Sequence, residues 1–403
     1  MPSWMNRLNI YTFLWVVYML SEASGTKDSA LRQVLLFVLL GISFYYFVKT
    51  NLQFAKPPYF KALNILMLMF FLYGTYLIVW FNPSDYVVNE PSYNYLKVIC
   101  RSLLPIYAFF VLFKDNPISE KNMYMWIFTF IAVAVASYYM NERNLLIAAM
   151  LRNSTKVEFV NNIGYVFLSI LPMCVFLHKK AYLQFLAIGC CFFFVILSMK
   201  RGAVFAALVC VVLFLWKKFS FSSLRKKILL FFVFFALAAV GYLFFEYEMN
   251  SSQLFQERLY ETLDGKMSRR DDLVVTFVKY IWNETTPLQF LFGSGANATV
   301  KIYYNYAHCD WVEIAVNQGL FGIIIYLIYW IALGKYCLSK KYDPLLETVL
   351  QMLFVILFMK TIFSMSYSDM AIPSTFVLGY CLAQEKKNEQ VVYCNSINQK
   401  KTR

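Results

Sequence analysis

The sequence predicts an all-α, polytopic integral membrane protein of about 12 transmembrane helices with one long, partly helical loop on its outer face. Three observations carry that prediction. Of the 403 residues, 60% are hydrophobic and only 15% charged, with a mean hydropathy of +0.55. A soluble domain is roughly half apolar and about a quarter charged, so this chain lacks the polar surface to cover a water-soluble globule. Apolar runs recur at the length of a bilayer span, and Lys and Arg gather in alternate connections. A dozen helices of about 20 residues use roughly 240 residues, close to the apolar share, so 1–403 reads as a single membrane domain.

The predicted spans are 8–23, 32–48, 62–81, 97–113, 123–140, 161–177, 182–199, 202–216, 228–245, 316–334, 345–365 and 370–385. Lipid offers the backbone no hydrogen-bond partner, so each must satisfy itself as helix. At the N-terminus, Arg7, the apolar run from Ile10 to Leu20 and the small residues Ala23, Ser24 and Gly25 have the outline of a signal peptide. A multispan chain needs no cleavage, and the segment is read as the first span.

Orientation follows from the short loops. Lys49, Lys56 and Lys61 share one connection, Lys114 and Lys121 a second, Lys179 and Lys180 a third. The cluster Lys217, Lys218, Arg225, Lys226 and Lys227 follows, then Lys335, Lys340 and Lys341. With the tail 386–403, all alternate onto one side, which the positive-inside rule makes cytoplasmic. Both termini are then expected inside. Residues 246–308 form the exceptional connection, a long outer loop too rich in aromatic and aliphatic residues to be a disordered tail. It is expected to be folded, with helical stretches such as Asp271 to Trp282.

The net charge of +14 is what such a cytoplasmic face requires, and no nucleic acid is implied. None of the nine Cys forms a C-x-x-C pair, which argues against a disulfide framework or a zinc site.

Charge at the edge of a span is expensive and points to function. The topology puts three cations at one depth: Arg101 inside the outer end of the fourth span, Arg201 at the outer turn between the seventh and eighth, and Lys360 below the outer end of the eleventh. Snorkelling to the headgroups accounts for any one of them. Three together, facing a basic loop, favour an anionic ligand, and arginine's planar fork suits phosphate or diphosphate oxygens. The end of the long loop carries a second constellation: Gly293-Ser294-Gly295, then His308-Cys309-Asp310-Trp311-Val312-Glu313, then Gln318-Gly319-Leu320-Phe321-Gly322. Of the two His, His178 lies beside Lys179 and Lys180 on the cytoplasmic side. His308 opens the tenth span on the cationic side, where a neutral imidazole can take a proton from a hydroxyl. An interfacial His bonded to backbone is the competing reading. Tyr303, Tyr304 and Tyr306 suit stacking on sugars and an aromatic belt equally well. The sequence has no G-x-x-x-x-G-K-[ST], H-E-x-x-H or G-x-S-x-G motif.

At these residues the chain resembles the bacterial O-antigen polymerase and O-antigen ligase superfamily. The resemblance rests on Ser198-x-x-Arg201-Gly202, on Ser268-Arg269-Arg270-Asp271 leading through Trp282 and Pro287 to Gly293-Ser294-Gly295, and on His308 through Glu313 and Gly319 to Gly322. It covers roughly 195–335. Cys309 departs from the pattern, since Asn or Ser often follows the His.

The resemblance implies a GT-C-like, metal-independent membrane glycosyltransferase without cofactor, acting on a glycan carried by undecaprenyl diphosphate. It gives Arg201 and Arg270, or its neighbour Arg269, the diphosphate, and His308 the acceptor hydroxyl. Arg258, Arg101, Lys360 and Glu313 are further candidates for binding diphosphate or sugar. A polymerase is expected, with a ligase to the lipid A core as the alternative and a flippase of lipid-linked sugars as the alternative of another class. A polysaccharide chain-length regulator is a partner the resemblance allows.

Overall fold

The computed structural model describes residues 6–23, 29–52, 57–80, 93–152, 163–198, 200–220, 270–303, 305–339 and 343–384, with four single residues between 243 and 260. The predicted ninth span, 228–245, lies outside the described residues apart from one position, as do Arg258, Arg269 and the tail 386–403.

Helices occupy each of the other eleven predicted spans. They are α1 (Arg7–Ala23), α2 (Ala30–Asn51), α3 (Pro58–Trp80), α4 (Tyr93–Asp115), α5 (Glu120–Arg152), α6 (Ile163–Cys174), α7 (Ala181–Leu197) and α8 (Arg201–Ser220). After the long loop begin α9 (Arg270–Asn283), α10 (Pro287–Phe292) and α11 (Ala298–Tyr303), then α12 (Asp310–Cys337), α13 (Pro344–Phe363) and α14 over 372–384. Among the described residues, six helices are long and apolar enough to cross a membrane: α2, α4, α5, α8, α12 and α13. The chain is a multi-pass membrane protein in that sense.

Local chemistry sets several helix ends. Ser29 caps α2 by accepting from the Arg32 amide, and Asp343 caps α13 by accepting from the Leu345 amide before Pro344. In α10, Thr286 and Gln289 form a reciprocal capping box behind Pro287.

The helices pack as two connected groups. α1 lies against α2, α4 and α5, while α6 joins α7, α8 and α13. α12 bridges them, resting on α3 and α13. Helix α14 fills the middle: Phe376 meets Phe109, Phe113 and Phe130 with ring centroids 4.9–5.6 Å apart, and Tyr380 meets Phe176 at 5.1 Å.

The described part of the long loop is folded, as its composition predicts. Phe277 of α9 is fully buried with Ala298, Ala307 and Val316, and Leu273, Tyr280 and Ile281 close over them. This second, smaller core seats α9 and α11 on the first turns of α12.

Ion pairs tie the two ends of the bundle separately. At one end Lys49 pairs with Asp115, Lys179 with Glu120 and Lys217 with Glu347. At the other end the candidate site assembles.

Candidate active site at one end of the bundle

The site is built on a broken helix. In α12, Gly319 has φ +67° and ψ −160°, a combination essentially reserved for glycine. A turn of hydrogen bonds is lost there, and the loop replaces them. The Ser294 amide donates to the Val316 carbonyl at 2.8 Å and the Gly295 amide to the Asn317 carbonyl at 3.0 Å. Tyr73 donates its hydroxyl to the Phe292 carbonyl at 2.5 Å. Irregular backbone at membrane depth survives only when protein satisfies it in this way. Gly293 (φ +80°) lies directly against the break: a Cβ on Gly319 would fall 2.7 Å from the Leu291 carbonyl atoms, and one on Gly293 would strike the Asn317–Gln318 peptide. The run Gly293-Ser294-Gly295 and the run Gln318-Gly319 are thus two halves of one joint.

Two buried carboxylates on the first turn of α12 fix what precedes it. Glu313 accepts from the Ala307 amide at 2.8 Å, from the Asn317 side-chain amide at 3.0 Å and from the Thr299 hydroxyl. Asp310 accepts from the Ser366 amide, 3.0 Å from each carboxylate oxygen, and from the Tyr326 hydroxyl at 2.5 Å. His308 lies between these anchors, with φ +53°. A left-handed conformation costs a non-glycine residue about 1–3 kcal/mol and persists only where the surroundings impose it. Here Ala307 is held on one side and Asp310 on the other. Glu313 thus ties together Ala307, Thr299 and Asn317. Cys309 is the N-cap of α12 without a side-chain capping bond, and burial pushes its thiol up.

The cations reach the same rim. Lys360, in the last turn of α13, is buried and donates to both the carbonyl and the carboxylate of Asp369, the latter at 3.0 Å. Arg101 lies 3.7 Å from the other Asp369 oxygen and 2.9 Å from Glu22, which also pairs with Arg32 at 2.9 Å. Two of the three expected cations therefore share one carboxylate. That carboxylate, Asp369, is three residues beyond Ser366, whose amide is bonded to Asp310. Arg201 is the first residue of α8, and its neighbour Gly202 packs so closely on the end of α13 that a Cβ would lie 2.8 Å from Phe363 Cγ. Ser198 packs against Gly164 of α6. The Ser-x-x-Arg-Gly pattern thus places the head of α8 three residues along α13 from Lys360. Arg270 opens α9.

Glu22, Arg32 and Asp369 were not among the candidates from sequence. Carboxylates are scarce near the predicted outer ends, and that scarcity was the available signal. Asp310 belonged to the quoted His308 run, but its anchoring of Ser366, 56 residues on, has no local signature.

The fold and site define a class: an all-helical, multi-pass membrane protein with an imidazole, arginines and a lysine gathered at one end of the bundle. Residues 186–327 match the family model described as O-antigen ligase, from α7 into α12. The match bears out the resemblance to the O-antigen ligase and polymerase superfamily and supports a function of that type for the chain. No curated protein matches it.

Proposed function

We propose that the chain is a membrane glycosyltransferase that polymerises undecaprenyl-diphosphate-linked repeat units at the periplasmic face into O-antigen, capsular or exopolysaccharide. The observation that carries this reading is His308, held in a strained conformation between the anchors of two buried carboxylates beside a cationic rim. Strain of that kind concentrates where geometry matters to chemistry. In the proposed step the acceptor sugar's hydroxyl oxygen bonds to the anomeric carbon of the donor glycan. The bond from that carbon to the diphosphate oxygen breaks, the hydroxyl proton passes to the His308 imidazole, and undecaprenyl diphosphate leaves. Arg201 and Arg270 hold the charge that develops on the leaving group, with Arg269 and Arg258 as further candidates for that role. Arg101 and Lys360, linked through Asp369, set the potential of the rim.

One observation favours the ligase reading, in which the lipid-linked glycan passes to the lipid A core: the matching family model carries that description. The two differ only in the acceptor. The test is deletion of the gene and complementation with wild type or His308→Ala at equal membrane level, with the surface glycans run on a gel. Loss of the ladder with a single repeat left on the core identifies a polymerase. Loss of every attached repeat, with long polymer on undecaprenyl diphosphate, identifies a ligase. An unchanged ladder with His308→Ala removes the catalytic assignment and brings back the flippase reading.

A further inference from the structure

Helix α9 has two apolar faces, and only one is covered. Leu273, Phe277, Tyr280 and Ile281 pack into the small core, while Val275, Val278 and Trp282, at helical spacing on the opposite side, are exposed, Trp282 to 72%. Helix α10 buries none of its residues: Leu288 is 70% exposed, and Leu291 and Phe292 are exposed too. The capping box and Pro287 hold this short helix rigid, and Tyr73 fixes its end at Phe292. These residues join into one surface. Trp282 meets Phe290 at 5.8 Å, and Phe292 meets Phe321 of α12 at 6.0 Å. Phe321 begins the face of α12 that carries Leu320, Ile324, Leu327, Ile328 and Ile331, all exposed on a helix long and apolar enough to span. That face suits lipid, and the exposed apolar residues of α9 and α10 adjoin it through the Phe292–Phe321 contact, with Asn283, Glu284 and Thr286 exposed between Trp282 and Leu288.

We propose that the Trp282–Phe292 hairpin is a membrane wedge, seated in the lipid leaflet at the His308 end of the bundle with Trp282, Leu288 and Leu291 among the acyl chains. Exposed aromatic and aliphatic residues beside a span suit the amphipathic boundary of a leaflet, where Trp partitions and apolar side chains leave water. The wedge ends at Gly293, the joint that supports the first turns of α12. It therefore fixes the depth of His308 relative to the headgroups. This inference rests on the exposed surface and stands apart from the choice of reaction.

The test is photocrosslinking of the full chain in nanodiscs of phosphatidylethanolamine and phosphatidylglycerol with tritiated acyl chains. A benzophenone amino acid replaces Leu288, with Ile324 on the exposed face of α12 as the lipid-facing reference. Asp272, exposed in the first turn of α9 and outside the wedge, serves as the polar reference. Lipid label on the Leu288 position should come within about twofold of Ile324 and exceed Asp272 about fivefold, as expected for a residue at acyl-chain depth. Label at the Asp272 level overturns the proposal. A product of twice the chain's mass in place of lipid label also overturns it and assigns the surface to a second copy.

Discussion

The joint between Gly293 and Gly319 invites a single-atom perturbation. Gly319→Ala places a Cβ 2.7 Å from the Leu291 carbonyl carbon and oxygen, and against the Gly293 amide. All three are backbone atoms, which cannot swing away as a side-chain tip would. The φ of +67° with ψ −160° adds about 1–3 kcal/mol of strain for any L side chain. Moving the two chains apart breaks the Ser294–Val316 and Gly295–Asn317 bonds, each worth about 1 kcal/mol net. Together these come to about 3–5 kcal/mol, or roughly 10²- to 10⁴-fold more opening of the joint. Gly41→Ala is the control, because a Cβ there meets nothing within 4 Å in the exposed part of α2. It should be neutral or stabilise by up to about 1 kcal/mol. The assay is thermal unfolding of purified protein in detergent, with the glycan ladder of complemented cells alongside. Gly319→Ala should melt well below both wild type and Gly41→Ala and lose the ladder. If the two alanine variants melt together and both restore the ladder, the coupling of the broken helix to the loop is refuted.

Three further outcomes follow from the ionic and hydrogen-bonded parts of the site. Asp369→Asn should destabilise more than Lys360→Met, because it strips the counter-charge from a lysine whose side chain is 4% exposed, whereas Lys360→Met leaves behind a carboxylate 40% exposed. Detergent melting of both singles and the double should show the double recovering most of the Asp369→Asn loss, and additive losses would count against the pair. Glu313→Ala strands three donors and should cost roughly 3 kcal/mol or more with loss of activity, while Glu313→Gln keeps acceptors and part of the ladder. Tyr326→Phe removes one donor from buried Asp310 and should lower stability by about 1–3 kcal/mol. Equal melting of Tyr326→Phe and wild type would show that Asp310 is held by Ser366 alone.

Hydropathy and loop charge made the helices legible, because bilayer thickness imposes a length that the eye can count. The errors fall where polar residues are buried by partners from afar. Hydropathy starts the tenth span at 316, yet α12 starts at Asp310, since Asp310, Glu313 and Asn317 read as too polar for a span. In the fold each is satisfied by protein, and hydropathy has no means of registering that. The positions of Arg101 and Lys360 at a common end were readable from alternation alone. Their shared Asp369, and the Glu22 that lies 79 residues from Arg101, depend on which helices become neighbours. Gly319 was recognisable as part of a motif, but its role as a break was not, because a single Gly is also tolerated inside an unbroken helix.

The central place of α14 bears on how the molecule is assembled. The last of the described helices to leave the ribosome is also the one whose Phe376 stands among aromatics from α4 and α5, with Gly379 against Phe109. The aromatic contacts among α4, α5 and α14 are thus completed only once the last of these helices is in place, so the centre of the bundle is expected to close late in assembly.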